Sequence, residues 1–138
     1  MIITSFVYCD RVETQPAPAP KNQIHRLVDP LQMLAPFSIP GAFSFSISLG
    51  FQGREIVEKS MQLRLDFLDP DDNALFSTGE IPFPKMPEDN IPPENHGLNL
   101  NLDIRNLVFS QPGYHKTKVY IDNNCMNEFP ILVTVAKN

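Results

Sequence analysis

The sequence predicts an all-β fold: a single antiparallel β-sandwich, immunoglobulin-like or similar, with a partly closed barrel as the second choice. Several separate segments alternate large apolar residues with small or polar ones, and this period of two is typical of strands with one buried face. Turn-forming residues separate the segments, as they do in sandwiches. Pro is also abundant, at 14 of 138 residues, which disfavours long helices because an internal Pro costs a helix about 3 kcal/mol.

The clearest strand covers residues 43–51, where every odd position is Phe, Ile or Leu and every even position is Ser or Gly. An apolar run over residues 2–9 predicts an opening strand, and residues 24–28 predict a weaker one. Residues 29–34 predict one short helical turn, because Asp29 suits an N-cap and Pro30 suits the first helical position.

The alternation returns at residues 61–67, which predict the first strand of a hairpin. The Asp-Pro-Asp-Asp-Asn run of residues 69–73 predicts its turn, because Pro presets φ and because Asp and Asn bond to their own backbone. Residues 75–78 then predict the return strand.

Residues 98–104 form another alternating segment, and a bulge is predicted where the alternation breaks at residues 105–106. The last two strands are predicted over residues 114–121 and 131–135, and residues 122–124 form the tight turn between them. Mid-strand positions on the apolar faces supply the predicted core residues, which are Phe45, Ile47, Leu65, Leu100 and Val119.

The length favours one domain over residues 1–138, because a typical domain has about 100–200 residues. Two Pro-rich segments, at about 15–21 and 83–97, are predicted to be loops of this domain, since Pro is excluded from central strands. The second loop carries Met86 and Ile91, two apolar side chains among charged ones. We expect them to mark a contact surface, because exposed apolar groups in a charged loop are typical of binding sites.

The formal net charge of −5 argues against binding to nucleic acid, because phosphates select clustered Lys and Arg. No stretch approaches the length of a membrane span, and the apolar start lacks the basic residues of a secretory signal. We therefore expect a cytoplasmic protein without membrane contact. Cys9 and Cys125 are expected to be reduced, buried and structural, with a disulfide between them as the alternative.

The chain opens with an apolar segment that ends in Cys9-Asp10, and a Pro-Gly turn at residues 112–113 begins a closing hairpin whose last strand starts at Phe129-Pro130-Ile131. These motifs resemble a family of short, uncharacterised bacterial β-sandwich proteins, a domain of unknown function. The resemblance implies a single β-sandwich with no assigned activity, and it carries no catalytic residue to this chain. The glycine-rich second segment of that family is replaced here by a Pro-Ala run.

Asp69, Asp71 and Asp72 are the candidates for a metal site, because loops of β-sandwiches often bind calcium through several carboxylates. Their spacing lacks the Glu that ends a twelve-residue calcium loop, so we favour a plain hairpin turn and expect no metal and no cofactor. Each histidine lies more than four residues from any other His or Cys, which argues against zinc. The three are His25, His96 and His115.

The sequence has no nucleophile motif and no phosphate-binding loop, so it predicts a protein that is not an enzyme and assigns no catalytic residue. The first hypothesis is a β-sandwich that acts through contacts with a protein partner or with a second copy, since Pro-stiffened loops on a rigid scaffold suit binding. The alternatives are a ligand-binding module, for carbohydrate with or without calcium, and a small hydrolase. The predicted interaction surface comprises Met86, Ile91, Tyr114, Lys116 and Lys118.

Overall fold

Two packed β-sheets form the protein in the computed structural model, which describes residues 1–18, 23–83 and 92–136. The strands of these ranges are β1 (Ile2–Pro16), β2 (Gln23–Pro30), β3 (Met33–Leu34), β4 (Gly41–Gln52), β5 (Gln62–Leu68), β6 (Ala74–Ser77), β7 (Ile81–Pro82), β8 (Gly97–Phe109), β9 (Gly113–Ile121) and β10 (Asn124–Val133). The helical elements are α1 (Glu55–Glu58) and a 3-10 turn at Pro93–Asn95. The predicted all-β class is confirmed.

The first sheet has the strand order β2-β1-β4-β8, and the second has the order β3-β10-β9-β5-β6, with β7 also paired to β5. The described pairs are antiparallel except for the two-residue pair of β3 with β10, which is parallel. Among the described strands each sheet therefore has two unpaired edges, and the arrangement is an open sandwich instead of the partly closed barrel.

The core lies between the two sheets, as the alternating pattern predicts. The odd-numbered residues 45–51 of β4 are only 0–1% exposed, and the ring of Phe45 contacts that of Phe67 on β5 at 5.5 Å between centroids. Four of the five predicted core residues are buried, namely Phe45, Ile47, Leu65 and Val119. Leu100 is the exception, because it faces inward from β8, the last strand of its sheet, and stays half-buried.

Beyond Cys9, β1 leaves β4 and pairs with β2 alone. We call residues 11–16 and 23–28 of these two strands the ribbon. On the ribbon, His25 Nδ1 accepts a hydrogen bond from Asn101 Nδ2 on β8 at 3.1 Å, although β2 and β8 are the two edge strands of this sheet. Edges three strand spacings apart lie about 14 Å from each other. The ribbon must therefore curl over the outer face of the first sheet.

The outer face of β4 carries small residues, which leaves room for this second layer. Ser46 faces outward beside Cys9 of β1, and both are 0% exposed. At Gly50, an added Cβ would lie only 2.7 Å from Thr4 Oγ1 and 2.9 Å from Asn99 Oδ1. Ser46 and Gly50 on this face are thus covered, whereas Ser44 and Ser48 stay partly exposed.

Some local predictions are wrong. The helical turn expected over residues 29–34 is instead the end of β2 and the short strand β3, because Leu31 N–H donates to the Tyr8 carbonyl and Met33–Leu34 pair with β10. The first Pro-rich segment begins as strand, since Gln15 and Pro16 still pair with β2. The second contains the 3-10 turn, and Gly97 already belongs to β8.

The two cysteines are both free, and they lie in different surroundings. Cys9 is buried as expected, but Cys125 lies on β10 and is exposed. The expectation that Cys125 is buried is therefore wrong, because the first half of β10 lies at an edge of its sheet, where β3 reaches only Leu132 and Val133.

Candidate functional site

Strand β9 directs alternate side chains to the two sides of the second sheet. Its odd-numbered residues from His115 to Ile121 are buried in the core. Tyr114, Lys116 and Lys118 therefore face outward together, as the period of two predicts.

Tyr114 begins an apolar row that crosses three neighbouring strands. Leu132 of β10 pairs with Tyr114 on one side and with Met33 of β3 on the other. Tyr114 is 68% exposed and Met33 is 45% exposed, and Leu132 between them is half-buried. We call this row, together with Lys116 and Lys118, the contact face.

Both lysines of the contact face already have acidic partners. Lys116 Nζ lies 2.8 Å from Asp72 Oδ1 and 4.0 Å from Glu128 Oε2, and Lys118 Nζ lies 3.4 Å from Glu128 Oε1. The hydrogen bond between Lys116 and Asp72 lowers the pKa of the Asp72 carboxyl and raises the pKa of the Lys116 ammonium. The face therefore presents balanced ion pairs beside an apolar row, and it does not present free positive charge to an anion.

Arg64 lies on the same side of the second sheet, at the opposite end of β9 from Tyr114. Its guanidinium lies 4.2 Å from the centre of the Tyr120 ring, and it donates to Asp66 Oδ2 at 3.2 Å and to Asn123 Oδ1 at 2.7 Å. Tyr120 is thus covered by a cation from its own sheet, while Tyr114 is the more exposed of the two rings.

The other two residues of the predicted interaction surface, Met86 and Ile91, lie outside the described residues. Their part in a contact surface stays a prediction from the sequence.

The turn predicted at residues 69–73 is confirmed, and its carboxylates are hydrogen-bonded or ion-paired within the protein. Asp69 Oδ1 accepts from the backbone N–H groups of Asp71 and Asn73 at 2.9 Å each, and these bonds lower the pKa of the Asp69 carboxyl. Asp71 Oδ2 accepts from Gln111 Nε2 at 3.3 Å, and Asp72 binds Lys116. Within the three described ranges, no group of three or more His, Cys, Asp or Glu is placed to hold a metal ion.

The histidines are widely separated in the fold. His115 lies in the core between the rings of Phe67 and Phe109, at centroid distances of 5.8 Å and 5.3 Å, and its Nδ1 donates to the Gly113 carbonyl at 3.0 Å. His96 is buried just before β8, and His25 lies on the ribbon. This placement brings none of the three onto the contact face.

A cleft of about 360 Å³ lies between β1 and β10, and the residues that line it include Phe6, Leu31 and Phe129. Its titratable group is the Tyr8 phenol, whose pKa is raised well above the ordinary value by burial. Cys9 lies on the opposite side of β1, where burial and the nearby Asp10 and Asp103 raise the pKa of its thiol. A raised pKa keeps the thiol protonated and therefore weakly nucleophilic.

No helix in the described ranges has the length and apolar character that crossing a membrane requires.

Comparison with known proteins gives one family match. The model of a family of unknown function (DUF6941) matches residues 4–134. No curated protein matches the chain.

Two solved structures show distant likeness. The alkylpurine DNA glycosylase AlkC from Pseudomonas fluorescens, bound to DNA containing an abasic site analog, is 6% identical with a TM-score of 0.40, over 69% of this chain and 26% of AlkC. The chain thus spans about a quarter of AlkC. An immunoglobulin-like protein from Pseudomonas aeruginosa is 12% identical with a TM-score of 0.33, over 94% of this chain and 97% of that one.

Proposed function

Because the chain belongs to a family of unknown function (DUF6941), we propose its role from its own surface: it is a non-enzymatic β-sandwich that acts through contacts with another protein. The observation that supports this proposal is the exposed apolar row of the contact face. Tyr114, Leu132 and Met33 lie side by side on three strands, and Tyr114 is 68% exposed.

The composition of the contact face is that of a protein-binding surface. Tyr is enriched among residues that dominate binding energy, because its rigid ring contributes a large contact area at a small entropic cost. Such residues usually lie in an apolar centre with a polar rim. Here the ion pairs of Lys116 and Lys118 with Asp72 and Glu128 supply the rim.

The same features favour a protein over the alternative ligands. Sugar-binding modules usually present several aromatic rings, but this chain has no Trp, and Tyr120 is covered by Arg64. An anionic ligand would have to displace Asp72 or Glu128 from the lysines. A partner with an apolar pocket rimmed by polar groups needs neither change.

The test is affinity capture from the native host, with matched variants, followed by titration of each purified protein captured. Tyr114→Ser should lose the partner, and Val108→Ser should keep it. Val108 is the matched control because it is also an exposed apolar strand residue, 56% exposed, but lies on the first sheet.

We expect Tyr114→Ser to raise the dissociation constant at least about ten-fold, which corresponds to about 1.4 kcal/mol, while the free energy of unfolding changes by less than about 0.5 kcal/mol. Equal binding of the wild type and of both variants would contradict the proposal.

A further inference from the structure

Among the described strands, the free edge of β8 differs from the edges of the second sheet. Residues 97–104 of β8 pair with β4 one for one, without a bulge, and they contain neither Pro nor Lys. The β10 edge is interrupted by a register shift after Cys125 and by Pro130, and β6 has only four residues. Bulges, Pro, Lys and short length are the usual devices that keep an edge from pairing with another chain, and this stretch of β8 lacks them.

The inward side chains of this edge are incompletely buried. Leu98, Leu100 and Leu102 face the core but stay half-buried. Their partners on β4, which are Phe51, Leu49 and Ile47, are only 0–1% exposed. Since β4 is the described strand that pairs with β8, an added strand on the free side would complete the burial of these leucines.

We propose that this edge pairs antiparallel with β8 of a second copy, with the two Asn101 residues facing each other on a two-fold axis. Directly opposed residues in an antiparallel pair point to the same face of the sheet. In this register Leu98 lies opposite Ile104 of the second copy, and Leu100 lies opposite Leu102. All four inward apolar residues of the uninterrupted segment thereby meet an apolar residue.

Moving the two-fold axis by one residue still places inward side chains opposite inward ones, but the resulting pairs are less complementary. An axis at Leu100 would place Ile104 opposite His96, and an axis at Leu102 would place Leu98 opposite Asn106. The Asn101 register also sets the single charge of the segment, Asp103, opposite the amide of Asn99. The segment is therefore complementary to itself, which is what a two-fold interface requires and what favours a second copy as the partner.

This surface is independent of the contact face, because β8 belongs to the first sheet and Tyr114 to the second. Each proposal can therefore fail alone. The first test is the mass in solution over a concentration series, measured by sedimentation equilibrium. The expected mass rises from the 15.6 kDa of one chain toward twice that value.

Asn101→Lys should weaken the dimer at least about ten-fold, because it sets two ammonium groups directly opposite each other. His25→Ala, which removes only the bond between Asn101 and the ribbon, should leave the dimer intact. Asn124→Lys is the matched control, since it makes the same change at an exposed position of β10 and should leave the dimer intact. A mass of one chain at every concentration up to about 1 mM would overturn the proposal. A dimer that persists in Asn101→Lys and dissociates in Tyr114→Ser would also overturn it and would place the interface on the contact face.

The second test fixes the register by disulfide formation in a Cys125→Ser background, which removes the exposed thiol. Asn101→Cys should cross-link the two copies, because directly opposed strand residues have Cα atoms about 4.5–5.5 Å apart, within the range for a disulfide. Asn99→Cys should not, since its two copies would lie four residues or about 13 Å apart. Equal cross-linking of both variants would overturn the register. Circular dichroism and melting of each variant confirm that it folds.

Discussion

The phenol oxygen of Tyr8 lies 2.7 Å from the hydroxyl of Thr117, so that β1 of the first sheet is hydrogen-bonded through side chains to β9 of the second. The same phenol oxygen lies 2.7 Å from the carbonyl oxygen of Phe129 on β10. A carbonyl can only accept and a phenol has one proton. Tyr8 therefore donates to Phe129, and Thr117 donates to Tyr8.

Removing the Tyr8 hydroxyl should destabilise the fold. Tyr8→Phe leaves the Thr117 hydroxyl and the Phe129 carbonyl without this partner, and unsatisfied buried groups cost about 1–3 kcal/mol. Urea unfolding of Tyr8→Phe, Thr117→Val and the double variant measures the coupling. We expect the double variant to lose less than the sum of the single variants, because the shared bond is lost only once. Strict additivity would show that the Tyr8–Thr117 bond contributes nothing.

Stability should fall in alkaline solution through Tyr8. Burial raises the folded-state pKa of Tyr8 above the ordinary value of 10.0, so the unfolded chain releases this proton first. The contribution of the protonated Tyr8 phenol to the free energy of unfolding is therefore fully present below pH 10.0. Above that pH it is lost at about 1.4 kcal/mol per pH unit. Unfolding free energies at pH 9 to 11, compared with those of Tyr8→Phe, isolate this effect. Parallel curves for the two proteins would contradict it.

Core truncations should distinguish a central strand from an edge strand. Leu65→Ala on β5 should cost about 2–5 kcal/mol, because Leu65 is buried and the change leaves a cavity. Leu100→Ala on β8 should cost less than Leu65→Ala, because Leu100 is only partly buried and less apolar area is lost. Denaturant unfolding at a concentration where the chain is monomeric is the measurement. A cost below about 0.5 kcal/mol at Leu65 would be incompatible with the described core.

Calcium should not raise the melting temperature. The carboxylates of Asp69, Asp71 and Asp72 already accept from backbone N–H groups, Gln111 and Lys116, whereas a calcium site needs them to converge on one ion. A ligand that binds only the folded state stabilises it by about 2.7 kcal/mol at a hundred-fold excess over its dissociation constant. A melting shift of several degrees in millimolar calcium, abolished by Asp71→Asn, would show that the site exists.

Period-two patterns predicted the strands whose inward side chains form the core, because a strand with one buried face has apolar residues at every second position. The odd positions of residues 43–51 show it most clearly. Residues 29–34 were predicted wrongly, since a hydrogen bond to the Tyr8 carbonyl and pairing with β10 decide their conformation. Those partners are distant in sequence, and no local pattern reports them.

The candidate site was predictable only in part, for the same reason. Alternation along β9 placed Tyr114, Lys116 and Lys118 on one face. Met33 and Leu132 join Tyr114 through strand pairing that the sequence does not reveal. The acidic partners of the lysines come from the turn after β5 and from β10, and they balance the positive charge of the two lysines.

The ribbon over the first sheet makes chemical access to Cys9 depend on motion. The exposed thiol of Cys125 can meet a reagent directly, whereas Cys9 is 0% exposed beneath this layer. A thiol reagent should therefore modify Cys125 at once and Cys9 only while the ribbon is lifted, so the ratio of the two rates measures the free energy of local opening. Breaking the His25–Asn101 bond with His25→Ala should speed modification of Cys9 alone.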